Sequence, residues 1–284
     1  MDKKKLSIAI PASVIADTPH LREKTAKIGL IGRASAIFRV DEIIVYEDNP
    51  KTNQARDLEL ISTLLVYLET PQYLRKQLFK LSPLLQYAGI LPPLRTPHHP
   101  SSGKSKNLKV GEYREGMVLA RTKEGMLVDI GVEKPALMFE KQFPLNERLT
   151  TKITRISEQV QVQSADREDV PAYWGYRVEV ERKTLVQLIE DVRFDLKIGT
   201  SKLGTKFTDV AEQLTDKWKK ARSIFVGFGA PARGLYEIAK DEGTNLNNIT
   251  DFVLNTIPFQ GTETVRTEEA LLATLAILNL QFDH

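Results

Sequence analysis

The chain has 284 residues, 42% hydrophobic and 27% charged, with 40 basic against 37 acidic residues and a net charge of +3. That length suits a large core with a second, smaller domain, and so mild a charge means that nucleic-acid binding has to be argued from local clusters. The absence of cysteine excludes disulfides, thiolate catalysis and cysteine-ligated zinc, and no apolar run reaches the ~20 residues of a membrane helix. The start, MDKKKLSIAIP, is too short in apolar residues for a secretory signal, so the expected compartment is the cytoplasm.

Leu6 to Ile10 reads as a short strand, and Leu21 to Ala36 as a helix with small residues in its second half. Ile43 to Tyr46 is apolar throughout, as a buried parallel strand is. From Asn53 to Leu68 the residues Leu58, Ile61, Leu64, Leu65 and Leu68 fall on one helical face, and Thr70-Pro71 starts another helix expected to reach Leu81. This is the texture of βαβ units. Pro92-Pro93, Pro97 and Pro100 to Gly103 then break the chain. Five short strand candidates follow, at 116–120, 126–130, 136–139, 149–156 and 160–162, a number and length that suit a small closed barrel. The string EGMVLARTKEGMLVDIGV resembles the opening hairpin of an S1-like OB-fold, which binds single-stranded RNA in many settings; a plain barrel spacer is the alternative. The α/β texture resumes with a strand at Arg177 to Val180, a helix near Lys206 to Arg222, a strand at Ile224 to Val226 and a helix from Leu235 to Lys240.

Asp251 to Leu254 is a further strand, and it feeds the turn Ile257-Pro258 to Gly261 ahead of a strongly apolar helix, which is expected to be buried. Thr267 can cap that helix, and Glu268 and Glu269 suit the positive end of its dipole. Such a turn at a sheet end can face a small ligand or be a simple connection. The run from Gly227 through Gly229 to Gly234 also follows a strand and precedes a helix. It is not a dinucleotide fingerprint, because the third glycine is late and Pro231 removes an amide donor. Gly103-Lys104-Ser105 lacks the leading glycine and strand of a phosphate loop. Arg95, His98, His99, Lys104, Lys106 and Lys109 lie in a stretch without acidic residues, which makes Arg95, His98, Lys104, Lys106 and Lys109 RNA-binding candidates and a solvated linker the alternative. No third ligand stands near His98-His99, so no metal is expected. Arg33, among small and apolar residues before a buried strand, could grip a phosphate or carboxylate, or form a structural ion pair with Asp41 or Glu42.

The blocks GRASAIFRVDEI, LETPQYLRKQLF, YAGILPPLRTPHH, YWGYRV, DLKIGTSKLG and NTIPFQGTETVRTEEALLATLAILN, in this order, resemble the SPOUT-class RNA methyltransferases. The likeness is to the archaeal and eukaryotic branch with an OB-like domain inserted in the α/β domain. It implies an α/β fold with a C-terminal deep trefoil knot, built from residues 1–91 and 168–284, and an inserted OB-fold-like RNA-binding domain at 92–167. It also implies S-adenosylmethionine as cofactor, RNA, ribosomal by expectation, as substrate, and a homodimer. Carried over by position, cofactor contacts fall to Thr200, Gly227, Gly229, Gly234, Asn255, Ile257, Pro258, Gln260, Gly261, Thr262 and Thr267. In the class motif Asn-x-Gly-x-x-x-Arg, Gly29 and Arg33 match and Lys27 replaces the Asn. Gly229 stands where the ribose-methylating branch has Glu, and Val265-Arg266-Thr267 where it has Ser-Leu-Asn. A base nitrogen such as uridine N3 is therefore the expected acceptor rather than a ribose 2'-oxygen. The expected catalytic residues are Arg33, as anchor of phosphate or of a base anion because a guanidinium keeps its proton and so cannot act as a base, Arg266 as second candidate, and Glu263 as proton acceptor. A non-catalytic RNA-binding or scaffold protein with the same fold is the alternative.

Overall fold

The computed structural model describes residues 4–49, 51–140 and 142–281. In chain order they form β1 (Lys5–Pro11), α1 (Leu21–Ile37), β2 (Glu42–Tyr46), α2 (Ala55–Glu69), α3 (Gln72–Leu78), β3 (Tyr113–Arg121), β4 (Met126–Asp129), β5 (Ala136–Met138), β6 (Arg148–Arg155), β7 (Gln161–Ser164), β8 (Arg177–Glu181), α4 (Leu185–Ile189), β9 (Leu196–Lys206), α5 (Phe207–Lys220), β10 (Ser223–Gly227), α6 (Leu235–Asp241), α7 (Leu246–Ile249), β11 (Phe252–Asn255) and α8 (Thr267–Gln281). They group into two compact units, one of residues 1–68, 83–92 and 176–284, the other of 69–82 and 93–175.

The first unit is built on a six-stranded sheet in the order β11-β9-β10-β1-β2-β8, with every pair parallel. The apolar runs of β1, β2 and β10 are explained by burial on both faces, which a parallel sheet covered by helices imposes. Ala9, Ile44, Phe225, Leu235 and Leu246 meet in one core. Against β11, the register of β9 jumps between Val253 and Leu254, whose partners are Gly199 and Thr205. Residues 200–204 therefore leave the ladder. Gly204 permits this, since a Cβ there would stand 2.6 Å from the Val253 carbonyl oxygen.

Helix α8 corrects two expectations. It is buried along one side only: Leu271, Thr274, Leu275 and Leu278 point inward, while Leu272 and Leu280 are 47% and 86% exposed. Residues apolar around the whole circumference cannot all be covered by one contact stripe, here the packing against α1. Thr267 does not cap its own helix, either. It is the first helical residue and its hydroxyl donates to the Gly229 carbonyl, while the Glu269 carboxylate accepts from the Arg266 N–H at 2.9 Å. Helix α3 ends at Leu78 instead of Leu81, with Phe79 already extended and Leu81 fully exposed.

The second unit is a closed barrel in the order β3-β4-β5-β7-β6, antiparallel except for β5 with β7. Val118, Met126, Val128, Met138, Ile153 and Val162 fill it, the inward half of each alternating strand. Helix α3 belongs to this unit: the Tyr73 hydroxyl donates to the Glu115 carbonyl at 2.6 Å and Gln77 donates to Asp129 at 2.6 Å.

Candidate active site

A cavity of about 290 Å³ lies at the carboxyl ends of β9, β10 and β11, where an open parallel sheet presents loops and free backbone groups. Three loops wall it: the bulged end of β9, the Gly229 to Gly234 turn after β10, and the segment joining β11 to α8. Threonine hydroxyls tie them together. Thr200 donates to the Gly227 carbonyl at 2.9 Å, Thr267 to the Gly229 carbonyl at 3.0 Å, and Thr256 pairs with Thr274 at 2.9 Å. Beneath the turn, the fully buried Tyr46 donates to the Phe228 carbonyl at 2.9 Å. Burial pushes the Tyr46 phenol well above its ordinary pKa, so the proton for that bond is always present.

The turn closes through Ala230 N–H to the Arg233 carbonyl at 2.9 Å, and Arg233 reaches the Asp48 carbonyl at 3.2 Å. Across the cavity Asn255 accepts from Ile257 N–H at 3.0 Å and donates to the Lys202 carbonyl at 2.9 Å. One amide side chain thus fixes the β11 exit against the β9 bulge. The lining mixes apolar surface from Phe228, Leu254, Ile257 and Val265 with the hydroxyl, amide and backbone groups above. A flat apolar ring bearing polar substituents suits such a lining.

Homology agrees with this geometry. Residues 5–278 match the model of a protein family described as "Putative RNA methyltransferase". The chain belongs to this family. It is 34% identical to the mouse 28S rRNA (uridine-N(3))-methyltransferase, over 96% of the chain and 75% of that protein, and 33% identical to the human protein of the same name, over 96% and 77%. An uncharacterized protein of Halobacterium salinarum is 33% identical over 96% of the chain and 98% of its own length. The expected enzyme class, a methyltransferase acting on RNA, is the class of this family, and a methyl donor is implied with it.

Of the residues expected at a cofactor, Thr200, Gly229, Gly234, Asn255, Ile257, Gln260 and Thr267 line the cavity. Gly227, Pro258, Gly261 and Thr262 do not, although Gly227 supplies the carbonyl that holds Thr200. None of Arg33, Glu263 and Arg266 lines it: Arg33 is half-buried on α1, and Glu263 and Arg266 are exposed on the segment before α8. Among the basic candidates of the second unit, Arg95, Lys104, Lys106 and Lys109 are exposed. His98 is a correction. It is 1% exposed, with Nε2 at 2.9 Å from the Glu69 carbonyl oxygen and 3.2 Å from its carboxylate, so it serves the interior of that unit instead of meeting RNA.

Three roles at the first unit's site escaped the sequence reading, one of them that of Lys27, noted there only as a departure from the class motif. Thr274 is the one hydroxyl set inside the apolar run of α8, and that isolation was the signal. Tyr46 ends an apolar strand with a polar tip, a weaker sign. Lys27, 6% exposed, has Nζ 2.7 Å from Asp17 and 3.5 Å from Glu268. A buried ammonium with two carboxylate partners ties α1 to the first turn of α8, beside Thr267.

Proposed function

We propose that the chain is an S-adenosylmethionine-dependent methyltransferase that methylates ribosomal RNA on a base nitrogen, uridine N3. The observation that carries this reading is the walled cavity at the ends of β9, β10 and β11 in a chain matched along nearly its whole length by the two mammalian uridine-N3 methyltransferases. The cofactor's features find counterparts there: apolar side chains for the adenine, Asn255 and the threonine-braced carbonyls for hydroxyl and amino groups. S-adenosylmethionine, when bound, supplies an electrophilic methyl carbon.

The chain's own residues then have three tasks: fixing geometry, excluding water and favouring a deprotonated acceptor. The threonine ties and Asn255 set the cavity's shape before any ligand arrives. Arg33 and Arg266 are assigned to anchoring RNA phosphate or the developing base anion, and Glu263 to taking the N3 proton. Their place outside the cavity lining suits contacts to RNA, not to cofactor. The closed barrel, of the OB type in this reading, and the exposed Arg95, Lys104, Lys106 and Lys109 are assigned to the RNA strand. A trefoil knot made by the segment from β11 through α8, and a homodimer in the cytoplasm, belong to the same proposal. The exposed Leu30, Ile37, Leu272 and Leu280, on two helices that pack on each other, support the dimer. Among the described residues no helix is long and apolar enough to cross a membrane.

The test is incubation of the purified protein with methyl-labelled S-adenosylmethionine and ribosomal RNA from cells lacking it, followed by nucleoside mass analysis. Label in 3-methyluridine is the expected result. Label on a ribose oxygen overturns the acceptor assignment, and no label at all overturns the enzyme.

A further inference from the structure

Next to the cavity, the segment between β11 and α8 displays Phe259 with 87% of its surface exposed. The display is built rather than loose. Gln260 N–H donates to the Ile257 carbonyl at 3.2 Å, the Gln260 side chain donates to the Thr262 and Glu263 carbonyls at 2.9 and 3.1 Å, and the Thr262 hydroxyl to the Thr264 carbonyl at 2.9 Å. A loop braced on both sides of an uncovered ring has its ordering entropy already spent before a partner arrives. One cation stands at the ring, Lys206 Nζ 5.3 Å from its centroid, and a second, the exposed Lys202 of the same strand, lines the cavity. From Leu196 to Lys206 the strand carries Lys197, Lys202 and Lys206 and no acidic residue.

An exposed aromatic face beside positive charge is the pairing that holds a nucleotide of a single strand, the ring stacking on a base while the ammonium groups meet the phosphates. We infer that Phe259, Lys202 and Lys206 form a nucleotide subsite at the cavity's edge, which stacks an unpaired base of the RNA substrate and holds its backbone. This rests on the RNA-methyltransferase reading and adds to it residues outside the barrel and the basic linker. Phe259 acts here as a positioning residue for the acceptor strand.

The test uses the full chain and a labelled single-stranded oligouridylate. Phe259→Ala is expected to weaken its binding by roughly 5- to 100-fold, the range of one base stacked on an aromatic ring, with Phe259→Trp restoring it and Phe259→Leu not. Lys206→Gln should lower the slope of log affinity against log salt by about 1. S-adenosylmethionine binding and sedimentation behaviour should not change. Wild-type affinity in Phe259→Ala overturns the inference, as does failure of the wild-type chain to bind the oligonucleotide. So does dissociation of an oligomer by Phe259→Ala with rescue by Phe259→Leu, since the ring would then belong to an interface between copies. Failure of the underlying reading is distinguishable, because it appears as a wild-type chain that binds no S-adenosylmethionine.

Discussion

The two units use polar groups in opposite ways. In the α/β unit the threonines, Asn255 and the turn carbonyls bond to one another across loops that wall a cavity. In the barrel unit a denser set is closed on itself. The buried Glu69 carboxylate accepts from Arg148 at 2.7 and 3.1 Å, and the buried Glu115 accepts from Arg148 at 2.6 Å, Thr150 at 2.9 Å and Trp174 at 2.5 Å. Burial would raise the Glu69 pKa, but the Arg148 charge and the His98 hydrogen bond hold the carboxyl well below the usual carboxylate range. A buried network of charged groups fixes a structure; polar groups that line a cavity have room beside them for a ligand.

The contrast can be broken most forcefully at Glu69. Glu69→Ala leaves the Arg148 guanidinium without its main partner and should lower stability by about 3 kcal/mol or more. In chemical denaturation the midpoint falls sharply, and S-adenosylmethionine affinity measured well below that midpoint does not. Loss of cofactor binding in the folded variant would contradict the division of labour.

A second effect of the closed network is its response to acid. Burial, with the neighbouring His98, pushes His99 down from 6.5 to about 4. Between those values the unfolded chain takes up a proton that the folded chain refuses, so stability is full above about pH 6.5 and is lost as pH falls toward 4. Glu69 acts in the same direction below its unfolded value of 4.5. Melting curves across this window should show the decline, and His99→Gln, which can still donate to the Glu69 carbonyl without titrating, should flatten its upper part. An unchanged slope would show that His99 does not carry it.

The smallest expected effect lies on the open side. Thr267→Ala deletes the bond to the Gly229 carbonyl, worth about 1 kcal/mol. Cofactor affinity should drop by roughly 5-fold with little change in melting temperature, while Thr267→Ser retains it. A variant that loses stability but not affinity would make Thr267 part of the scaffold alone.

Much of the architecture was legible because its signals are local. The apolar run of Ile43 to Tyr46, the single helical face of Leu58 to Leu68 and the alternation of the barrel strands each state a period that only one kind of element satisfies. The short helices α4 and α7 were not legible, since four or five residues hold too little periodicity. Nor was the bulge of β9, whose register depends on its partner β11. Around the site, the Gly227 to Gly234 run and the Ile257-Pro258 to Gly261 turn stood out as breaks between strand and helix, while Asn255 entered through the family resemblance alone. Thr267 misled because a threonine at a helix start looks like a cap wherever its hydroxyl goes. His98 misled because its basic neighbours in sequence are exposed while it is buried, a difference set by Glu69, 29 positions away along the chain.

The central claim is that the cavity beside Gly229 holds the methyl donor, and calorimetric titration of S-adenosylmethionine into the wild-type chain and Gly229→Ala tests it most directly. A Cβ at this position would stand 3.0 Å from the Leu235 backbone nitrogen and 3.2 Å from the Arg233 carbonyl oxygen, crowding the turn that walls the site. Overpacking of this kind is worth about 1–3 kcal/mol. The account predicts binding by the wild type and an affinity lower by roughly 5- to 100-fold in a variant that remains folded. Equal affinity in the two proteins, or no binding by the wild type, would contradict it.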